Sequence, residues 1–321
     1  MPIVIAVDAM GGDHAPEVIV QGSVKAAAEM GVSILLVGQE DAIETELAKL
    51  NAPAGTVKTL HAPDVIGTDE VPTVAVRRKK KSSIMLGLKA VKEGEAAAFV
   101  SAGSTGALLT AATLVIGREV GIERPALAAL LPNRKAFTLL VDCGANVDCK
   151  PTYLAQFAQM GSTYMTKARG IDRPRLGLVN IGTEREKGNV LVKEAYGLIE
   201  EAAAQSAFDF IGNVEARDIP LGAVDVAVCD AFVGNVILKY TEGIVGGLLG
   251  MVKDELMADP LSKLGALMAK GAFKRLKKNL DYDVIGGAPF LGLKSLVVKA
   301  HGSSNATAIQ GAIRQCVQFI S

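Results

Sequence analysis

The chain has 321 residues, of which 50% are hydrophobic and 21% charged, a composition typical of a folded globular protein and not of a disordered or fibrous one. Its 34 basic residues balance its 34 acidic residues, so no overall positive field attracts nucleic acid. Trp is absent and aromatic residues make up only 4%, which leaves few side chains for stacking on bases and argues against a nucleic-acid partner.

The four cysteines, at positions 143, 149, 229 and 316, form no C-x-x-C pair and have no histidines at zinc spacing. We therefore expect no disulfide and no bound metal, and a reducing cytoplasm as the location. No cofactor is expected either. The start, MPIVIAVDAMGG, lacks the basic and apolar regions of a signal peptide. The longest uncharged stretch, 96–117, has Ser, Gly and Thr in its middle, which predicts strand, turn and helix and not a membrane span.

One arrangement recurs along the chain: a short β-branched strand, then a polar loop, then in most cases a helix. Strands are expected at 3–7, 34–37, 97–100, 139–141, 176–180, 224–228 and 296–299. This alternation predicts an α/β fold of three layers, with helices on both faces of a large, mostly parallel sheet. Because the carboxyl ends of parallel strands emerge at one edge, we expect the Gly-rich loops that follow them to converge there.

No linker or change of composition divides the chain, so residues 1–321 are expected to form one unit, either undivided or with two lobes about a central cleft. The segment 243–280 lacks β-branched runs and predicts a helical insertion. Within it, residues 261–280 hold six basic residues and no acidic one, with Leu, Met and Ala at spacings of three and four on another side. Such a helix either packs on its own core or on a dimer partner, or it contacts an anionic membrane or an acidic protein.

Two Gly-rich loops are suited to binding an anion, VDAMGGDHAP (7–16) and VSAGSTGALL (100–109). A helix that begins after such a loop presents free backbone N–H groups and the positive end of its dipole. For one loop alone, a turn and a helix cap are the simpler interpretation; several together favour a binding site. No P-loop, dinucleotide fingerprint or G-x-S-x-G elbow occurs in the sequence.

Four side chains in these and similar loops are candidates for chemistry. Lys187 precedes Gly188 at an expected helix start and is the best candidate cation for an anionic substrate. Asn235, at an expected helix N-terminus, is either an N-cap or an amide donor to an oxyanion. His14 and His301 each follow a strand, where a solvated or capping side chain is the common case. Cys143 is interpreted as a small buried hydrophobic residue rather than a nucleophile.

Eight segments then resemble, in order and spacing, the PlsX-type phosphate acyltransferases of bacterial phospholipid synthesis. They are VDAMGGDHAP, RRKKKSS, SAGSTGALL, VDCGANVDCKP, GTEREKGN, GNVEARD, CDAFVGN and KAHGSSN, and they cover about residues 3–315. The resemblance implies transfer of a fatty acyl group from an acyl-carrier-protein thioester to inorganic phosphate, giving acyl phosphate. It also implies a fold similar to the isocitrate and isopropylmalate dehydrogenases, a homodimer, and peripheral association with the membrane.

Carried over position by position, the resemblance indicates Lys187 and Asn235 as the chief catalytic residues. Other site positions that it indicates are Asp8, Gly11, Gly12, His14, Ser104, Thr105, Asn146 and His301. In the mechanism we expect, Lys187 offsets the phosphate charge, Asn235 stabilises an oxyanion or orients phosphate, and backbone N–H groups of the Gly11 and Gly103 loops complete the cradle. A thiolate leaves readily, so acid catalysis by His14 or His301 is optional.

Two basic surfaces are candidates for docking the acidic carrier protein or a membrane. One is the run 77–81, which includes Arg77, Arg78 and Lys79; the other is the helix 261–280, with Lys274 and Arg275 on its charged side. Leu264 and Leu267 of that helix would enter a lipid surface. Two rival functions stay open: a metal-dependent dehydrogenase of the related fold, and a non-catalytic phosphate-binding or membrane scaffold protein.

Overall fold

The structure is a computed structural model that describes residues 3–280 and 286–320, except for the side chains of 277–280. Two lysines of the predicted basic helix, Lys277 and Lys278, therefore have side chains outside the described residues. The strands are β1 (Val4–Asp8), β2 (Ser33–Gly38), β3 (Val57–His61), β4 (Ala98–Ser101), β5 (Ala126–Pro132), β6 (Phe137–Val141), β7 (Arg175–Asn180), β8 (Asp209–Glu215), β9 (Val226–Val228), β10 (Ala288–Leu291) and β11 (Leu296–Lys299).

Helices occupy most of the remaining described chain. They are α1 (Glu17–Met30), α2 (Glu40–Leu47), α3 (Pro72–Arg78), α4 (Ser83–Lys92), α5 (Thr105–Val115), α6 (Pro151–Arg169), α7 (Val190–Ala203), α8 (Ala231–Leu256), α9 (Pro260–Leu280) and α10 (Ala306–Ile320), with a 3₁₀ helix at Ala216–Leu221. All seven predicted strands are present, and β3, β5, β8 and β10 occur in addition.

The strands form one 11-stranded mixed sheet in the order β3-β2-β1-β4-β11-β10-β5-β6-β9-β7-β8. Side chains alternate between its two faces, as β4 illustrates: Phe99 packs with α3, α4 and α5, whereas Ala98 and Val100 pack with α1 and α10. In the other half of the sheet, helices α6 and α7 pack on one face of β5, β6, β7 and β9. The predicted three-layer α/β/α fold with a large, mostly parallel sheet is confirmed.

Three antiparallel pairings at the centre of the sheet reverse its direction. They join β11 to β10, β10 to β5, and β5 to β6, and the seven other pairings are parallel. Because the number of reversals is odd, β1, β4 and β11 run opposite to β6, β7 and β9. Their carboxyl ends emerge at opposite edges, so the prediction that all Gly-rich loops converge at one edge is wrong.

Helices α8 and α9 form a pair that extends from the sheet. Helix α8 begins at Ala231 and has 26 residues, which corresponds to a length of about 39 Å. Gly243, the predicted start of a helical insertion, therefore lies inside α8. Along α8 a row of apolar residues is exposed at spacings of four and three: Phe232, Val236, Tyr240, Ile244, Leu248 and Met251. Among the described helices, none is long and apolar enough to cross a membrane.

Candidate functional site

A cavity of about 560 Å³ lies where the two halves of the sheet meet. Strand β5 contributes Leu127, Ala129 and Leu130 to its lining, and the loops after β4 and β11 contribute Thr105 and the residues from Ala300 to Ser304. The lining from α8 consists of Asn235, Leu238, Lys239 and Glu242. The cavity therefore combines an apolar wall with polar side chains from distant parts of the chain, as small-molecule sites do.

The lining residues are spread along both β5 and α8. Leu127 and Leu130 are three positions apart on β5, which corresponds to about 10 Å. Asn235 and Glu242 are seven positions apart on α8, again about 10 Å. Cys143 is hydrogen-bonded to Leu127 through the backbone, at one end, while Ala288 pairs with Lys299 at the other. Asn235 lies toward the Cys143 end, because the preceding residue, Gly234, approaches the Asp142 carbonyl oxygen and the Cys143 Cα.

The polar end is built from three neighbouring strand ends. Asp8 on β1, Ser101 on β4 and Lys299 on β11 lie side by side because Lys299 pairs with Ser101 and the β1–β4 register places Asp8 next to it. All three are at least nine-tenths buried. Ser101 Oγ donates to Asp8 Oδ2 at 2.6 Å and accepts from the Gly103 N–H at 3.0 Å. This network fixes the start of the 101–104 loop.

Lys299 is the buried cation of this end. Its Nζ donates to the carbonyl oxygens of Ala102, at 3.2 Å, and of Ala300. Burial lowers the pKa of Lys299 to about 8, against the opposing attraction of the Asp8 and Asp13 carboxylates. Burial also raises the pKa of Asp8, although hydrogen bonds from Ser101, Ser83 and Met10 act in the other direction.

The first Gly-rich loop contacts both neighbouring loops. A Cβ at Gly11 would lie 2.6 Å from the Gly103 backbone nitrogen, so only glycine permits this approach. The Asp13 N–H donates to the Gly302 carbonyl at 2.8 Å. The loops that contain Gly11, Gly12, Gly103 and His301 are therefore brought together, as the sequence predicts for these members.

The opposite end of the cavity is organised by Asp142. Its Oδ1 accepts from the backbone N–H groups of Leu127, Gly144 and Ala145, and its Oδ2 accepts from the backbone and side chain of Asn146. The loop after β6 is thereby held rigid. Burial raises the pKa of Cys143 well above its usual value, and the nearby Asp142 carboxylate adds to this effect. A thiolate at Cys143 is thus disfavoured.

Helix α8 is anchored against this loop. Asp230 is its N-cap, since its Oδ1 accepts from the Val233 N–H at 2.9 Å, so the interpretation of Asn235 as an N-cap is wrong. Gly234 lies so close to the Asp142 carbonyl oxygen that a Cβ there would approach it to 1.9 Å. This contact places the next residue, Asn235, at the cavity.

The chain also matches known proteins along its whole length. A family described as "Fatty acid synthesis protein" matches residues 3–321. Among curated relatives, a phosphate acyltransferase of Clostridium botulinum (strain Loch Maree / Type A3) is 51% identical over 314 residues, covering 98% of this chain and 92% of that protein. A phosphate acyltransferase of Alkaliphilus oremlandii is 48% identical over 316 residues, covering 98% and 93%.

The chain belongs to the fatty acid synthesis protein family. Solved structures share its fold at low identity. The EutD phosphotransacetylase from Staphylococcus aureus has a TM-score of 0.65 at 16% identity, covering 99% of this chain and 94% of that one. A putative 4-hydroxythreonine-4-phosphate dehydrogenase from Salmonella typhimurium has a TM-score of 0.57 at 14% identity, covering 99% of each chain. The same architecture thus occurs in transacylases and dehydrogenases.

In this member of the fatty acid synthesis protein family, the two chief catalytic candidates are not brought together in one cavity. Asn235 lines the 560 Å³ cavity, whereas Lys187 is exposed in the loop between β7 and α7 and is not among the lining residues. The Lys187 backbone contacts Glu184 and the Asn180 side chain. Because β7 and β9 are neighbours, Lys187 and the start of α8 do follow adjacent strand ends.

Most other predicted site residues lie near the cavity, with differing environments. Thr105 and His301 line it, and His301 Nδ1 lies 2.8 Å from Ser303 Oγ. Ser104 caps α5 by accepting from the Ala107 N–H, so it has a structural role. His14 is exposed in the first Gly-rich loop.

Asn146 lies elsewhere. Its side chain donates to Asp142 Oδ2 at 2.7 Å and to the Pro125 carbonyl at 2.8 Å, and it lines a second cavity of about 480 Å³. These contacts give Asn146 a role in holding the loop after β6. Its predicted part in binding phosphate stays a prediction.

The two basic surfaces differ in how free their charges are. Lys79 is already paired with Glu70 at 2.6 Å and donates to the Val65 carbonyl at 2.7 Å, whereas Arg77 and Arg78 are exposed. Helix α9 exposes Leu264 and Leu267, together with Lys274 and Arg275.

Two buried polar residues of the cavity, Lys299 and Ser304, were not among the candidates from the sequence. Both lie in the segment KAHGSSN, from which only His301 was predicted. A lysine at the end of a buried β-branched strand was the available signal, since buried lysines are rare unless they are paired or functional.

Proposed function

We propose that this chain is an enzyme that transfers a fatty acyl group from an acyl-carrier-protein thioester to inorganic phosphate, forming acyl phosphate for phospholipid synthesis. The observation that carries the proposal is the match to phosphate acyltransferases at about half identity over 98% of the chain. The cavity supports it, because a buried cation and a helix N-terminus lie next to an apolar wall.

The reaction requires no covalent enzyme intermediate. An oxygen of the phosphate dianion attacks the thioester carbonyl carbon, a C–O bond forms and the C–S bond breaks, with the electron pair leaving on sulfur. The proton of the phosphate then passes to the thiolate, which gives acyl phosphate and the free thiol of the carrier. The protein has to hold the anion against the carbonyl and stabilise the oxyanion that forms. The raised pKa of Cys143 agrees with a mechanism in which phosphate, and not a cysteine, is the nucleophile.

One assay tests the proposal against its two rivals. The purified chain is incubated with an acyl-carrier-protein thioester and phosphate, and free thiol and hydroxylamine-trapped acyl phosphate are measured. Both products should appear only when both substrates are present. A scaffold protein would give neither product. A dehydrogenase would instead change the absorbance of a nicotinamide cofactor. Among the described residues, no group of three or more His, Cys, Asp or Glu side chains is placed to share a metal ion.

The catalytic roles of Lys187 and Asn235 are part of the proposal. Their support is the resemblance of GTEREKGN and CDAFVGN, together with the position of Asn235 on the cavity. Lys187→Ala and Asn235→Ala should each lower kcat/KM at least tenfold, which corresponds to about 1.4 kcal/mol of transition-state stabilisation. Lys193→Ala, on the neighbouring helix α7, is the matched control for Lys187. A Lys187→Ala rate within twofold of the wild type would remove that residue from the mechanism.

We further propose that the protein is a homodimer that binds the cytoplasmic surface of a membrane peripherally. The exposed apolar row of α8 supports an interface with a second copy, because a contiguous apolar row of this length is unusual on the surface of a monomer. The exposed leucines and basic residues of α9 suit an anionic lipid surface. Helix α9 and the exposed Arg77 and Arg78 are the alternative docking surfaces for the acidic carrier protein.

The membrane proposal has a direct test. Leu264→Asp/Leu267→Asp should release the protein from anionic vesicles, because it replaces two exposed apolar side chains, 56% and 67% exposed, by charges of the same sign as the lipid. Val120→Asp, at a residue 98% exposed but away from α9, is the control. Sedimentation with vesicles measures binding, and analytical ultracentrifugation checks that the oligomeric state is unchanged. Vesicle binding equal to that of the control would contradict a role for α9.

A further inference from the structure

The fold leaves two buried polar groups of the cavity with unused hydrogen-bonding capacity. Lys299 is 9% exposed and Ser304 is 4% exposed, and both line the cavity. An ammonium group has three N–H donors, and two backbone carbonyls accept from Lys299. Among the described residues, Ser304 Oγ has no hydrogen-bond partner. Buried groups of this kind favour a polar ligand that completes their bonds.

The two groups belong to one structural unit, the connection from β11 to α10. Lys299 ends β11, and the Ser304 N–H donates to the His301 carbonyl at 3.1 Å, which closes a turn between them. Asn305 then accepts from the Ala308 N–H at the start of α10, a helix of 15 residues. The unit thus combines an ammonium group, an unpartnered hydroxyl and a helix N-terminus, all of which favour a tetrahedral anion.

The neighbouring charges leave the Lys299 ammonium available to such an anion. In the described part of the chain, no carboxylate oxygen lies within 4 Å of its Nζ. Asp8, the nearest buried carboxylate in the strand row, already accepts from Ser101 and Met10. Asp8 and Asp13 attract the ammonium from a distance, and Lys239 repels it.

We propose that Lys299 and Ser304 bind the phosphate that attacks the thioester, the ammonium through charge and the serine hydroxyl by donating to a phosphate oxygen. This inference rests on the proposed function, and it gives Lys299 the task of offsetting the phosphate charge, which the resemblance assigned to Lys187, a residue outside the cavity lining. Asp8 and Ser101 are then positioning residues, because their hydrogen bond fixes the adjacent loop. The apolar wall of Leu127, Ala129 and Leu130 lies beside the bound anion, where the acyl group has to arrive.

Phosphate binding is measured first, separately from turnover. The thermal unfolding midpoint of the free protein is followed while inorganic phosphate is titrated, since a ligand that binds the folded state raises it. Lys299→Met should weaken phosphate binding at least tenfold and Ser304→Ala about threefold to tenfold. Lys294→Met, at an exposed lysine before β11, should bind phosphate within twofold of the wild type. If Lys299→Met binds phosphate as tightly as the wild type does, the proposal is overturned. If Lys299→Met does not fold, the proposal is overturned when Ser304→Ala binds phosphate as tightly as the wild type.

Steady-state kinetics then identify the source of the anion. Inorganic phosphate and the phosphodiester of the carrier's phosphopantetheine arm share the same chemistry. For Lys299→Met we expect the KM for phosphate to rise at least tenfold, while the KM for the acyl carrier protein stays within threefold of the wild-type value. The KM for phosphate should rise by the same factor when the acyl donor is an acyl-pantetheine, which lacks the phosphodiester. A rise confined to KM for the carrier-borne thioester would assign the site to the phosphodiester and refute the assignment to the nucleophile.

A pH profile tests whether the ammonium is the group concerned. The wild-type kcat/KM for phosphate should fall as the pH rises through about 8, where Lys299 loses its proton. Asp8, Asp13, Lys239, Glu242 and His301 also face this region, so the comparison is with Lys299→Arg, which keeps its charge and should lack that fall. The same fall in both would contradict the inference. Failure of the wild type to form acyl phosphate, with phosphate binding still dependent on Lys299, would instead reject the proposed function alone.

Discussion

Gly234→Ala tests whether the contact between α8 and the loop after β6 sets the geometry of the cavity. The added Cβ would lie 1.9 Å from the Asp142 carbonyl oxygen, and the helix must retreat by about 1.5 Å to restore an ordinary contact. The Asp142 carbonyl cannot easily move away, because the Asp142 side chain is held by five N–H donors at 2.7–3.2 Å. The retreat carries Asn235 and Leu238 away from the cavity.

Gly243→Ala is the matched control, since Gly243 lies on the same helix and a Cβ there would have no atom within 4 Å. Both variants gain the same helix propensity, about 0.8–1 kcal/mol, so this gain cancels in the comparison. The free energy of unfolding of Gly234→Ala should lie about 1–3 kcal/mol below that of Gly243→Ala, the usual cost of overpacking. Its kcat should fall about 100-fold, because a displacement of about 1 Å has that effect on positioned groups.

Urea denaturation and thiol release from acyl carrier protein provide the two measurements. If Gly234→Ala is as stable as Gly243→Ala and turns over like the wild type, the helix is free to shift, and its close approach to Asp142 does not position the site.

Three further predictions concern single side chains. Asp225→Asn should lower the free energy of unfolding at pH 7 by about 1–3 kcal/mol, because its carboxylate pairs with Arg175 at 2.9 Å and 3.1 Å. Burial acts to raise the pKa of Asp225, but the hydrogen bonds from Arg175 prevail and hold the pKa below its usual value. The stabilisation by this ion pair is therefore present above about pH 4 and lost as the pH falls. Urea denaturation at pH 7 and pH 3 should show that the stability difference between Asp225→Asn and the wild type shrinks at the lower pH, and an unchanged difference would contradict this prediction. Cys143→Ala should keep kcat/KM within about threefold, whereas a loss above 100-fold would restore a cysteine nucleophile. His301→Ala should lower kcat by less than about tenfold, since a thiolate leaves without general acid catalysis, and a larger loss would assign the histidine a proton-transfer role.

The fold was predictable to the extent that strands carried β-branched residues and ended in Gly-rich loops. Strand β5 was not predicted because its sequence, ALAALLP, consists of Ala and Leu, which favour helices, up to its final Pro132, while all seven positions are buried in the sheet. Strand β10, APFL, is short and begins next to Gly286 and Gly287. These two strands carry the three reversals, so the direction of the second half of the sheet could not be predicted without them.

The same omission explains what was missed in the site. In a uniformly parallel sheet, Lys187 and the Gly11 loop would lie at the same edge, where all strands have their carboxyl ends. Because the sheet reverses direction, they follow strands that end at opposite edges. Asn235 reaches the cavity because the start of α8 packs closely on the loop after β6 through Gly234, a contact that a sequence pattern does not reveal. Burial of Lys299 likewise depends on the pairing of β11 with β10 and with β4, and the β4 partner, Ser101, is almost 200 positions away in the sequence.

The position of the last two strands has a consequence for synthesis of the protein. Strands β10 and β11 come from near the C-terminus, yet they lie between β4 and β5 at the middle of the sheet. Until the ribosome has released this segment, β4 and β5 keep unpaired edges that can associate with other chains. The nascent polypeptide thus exposes two aggregation-prone borders through most of translation, and a truncated product that ends before residue 286 would lack both its central seam and its Lys299.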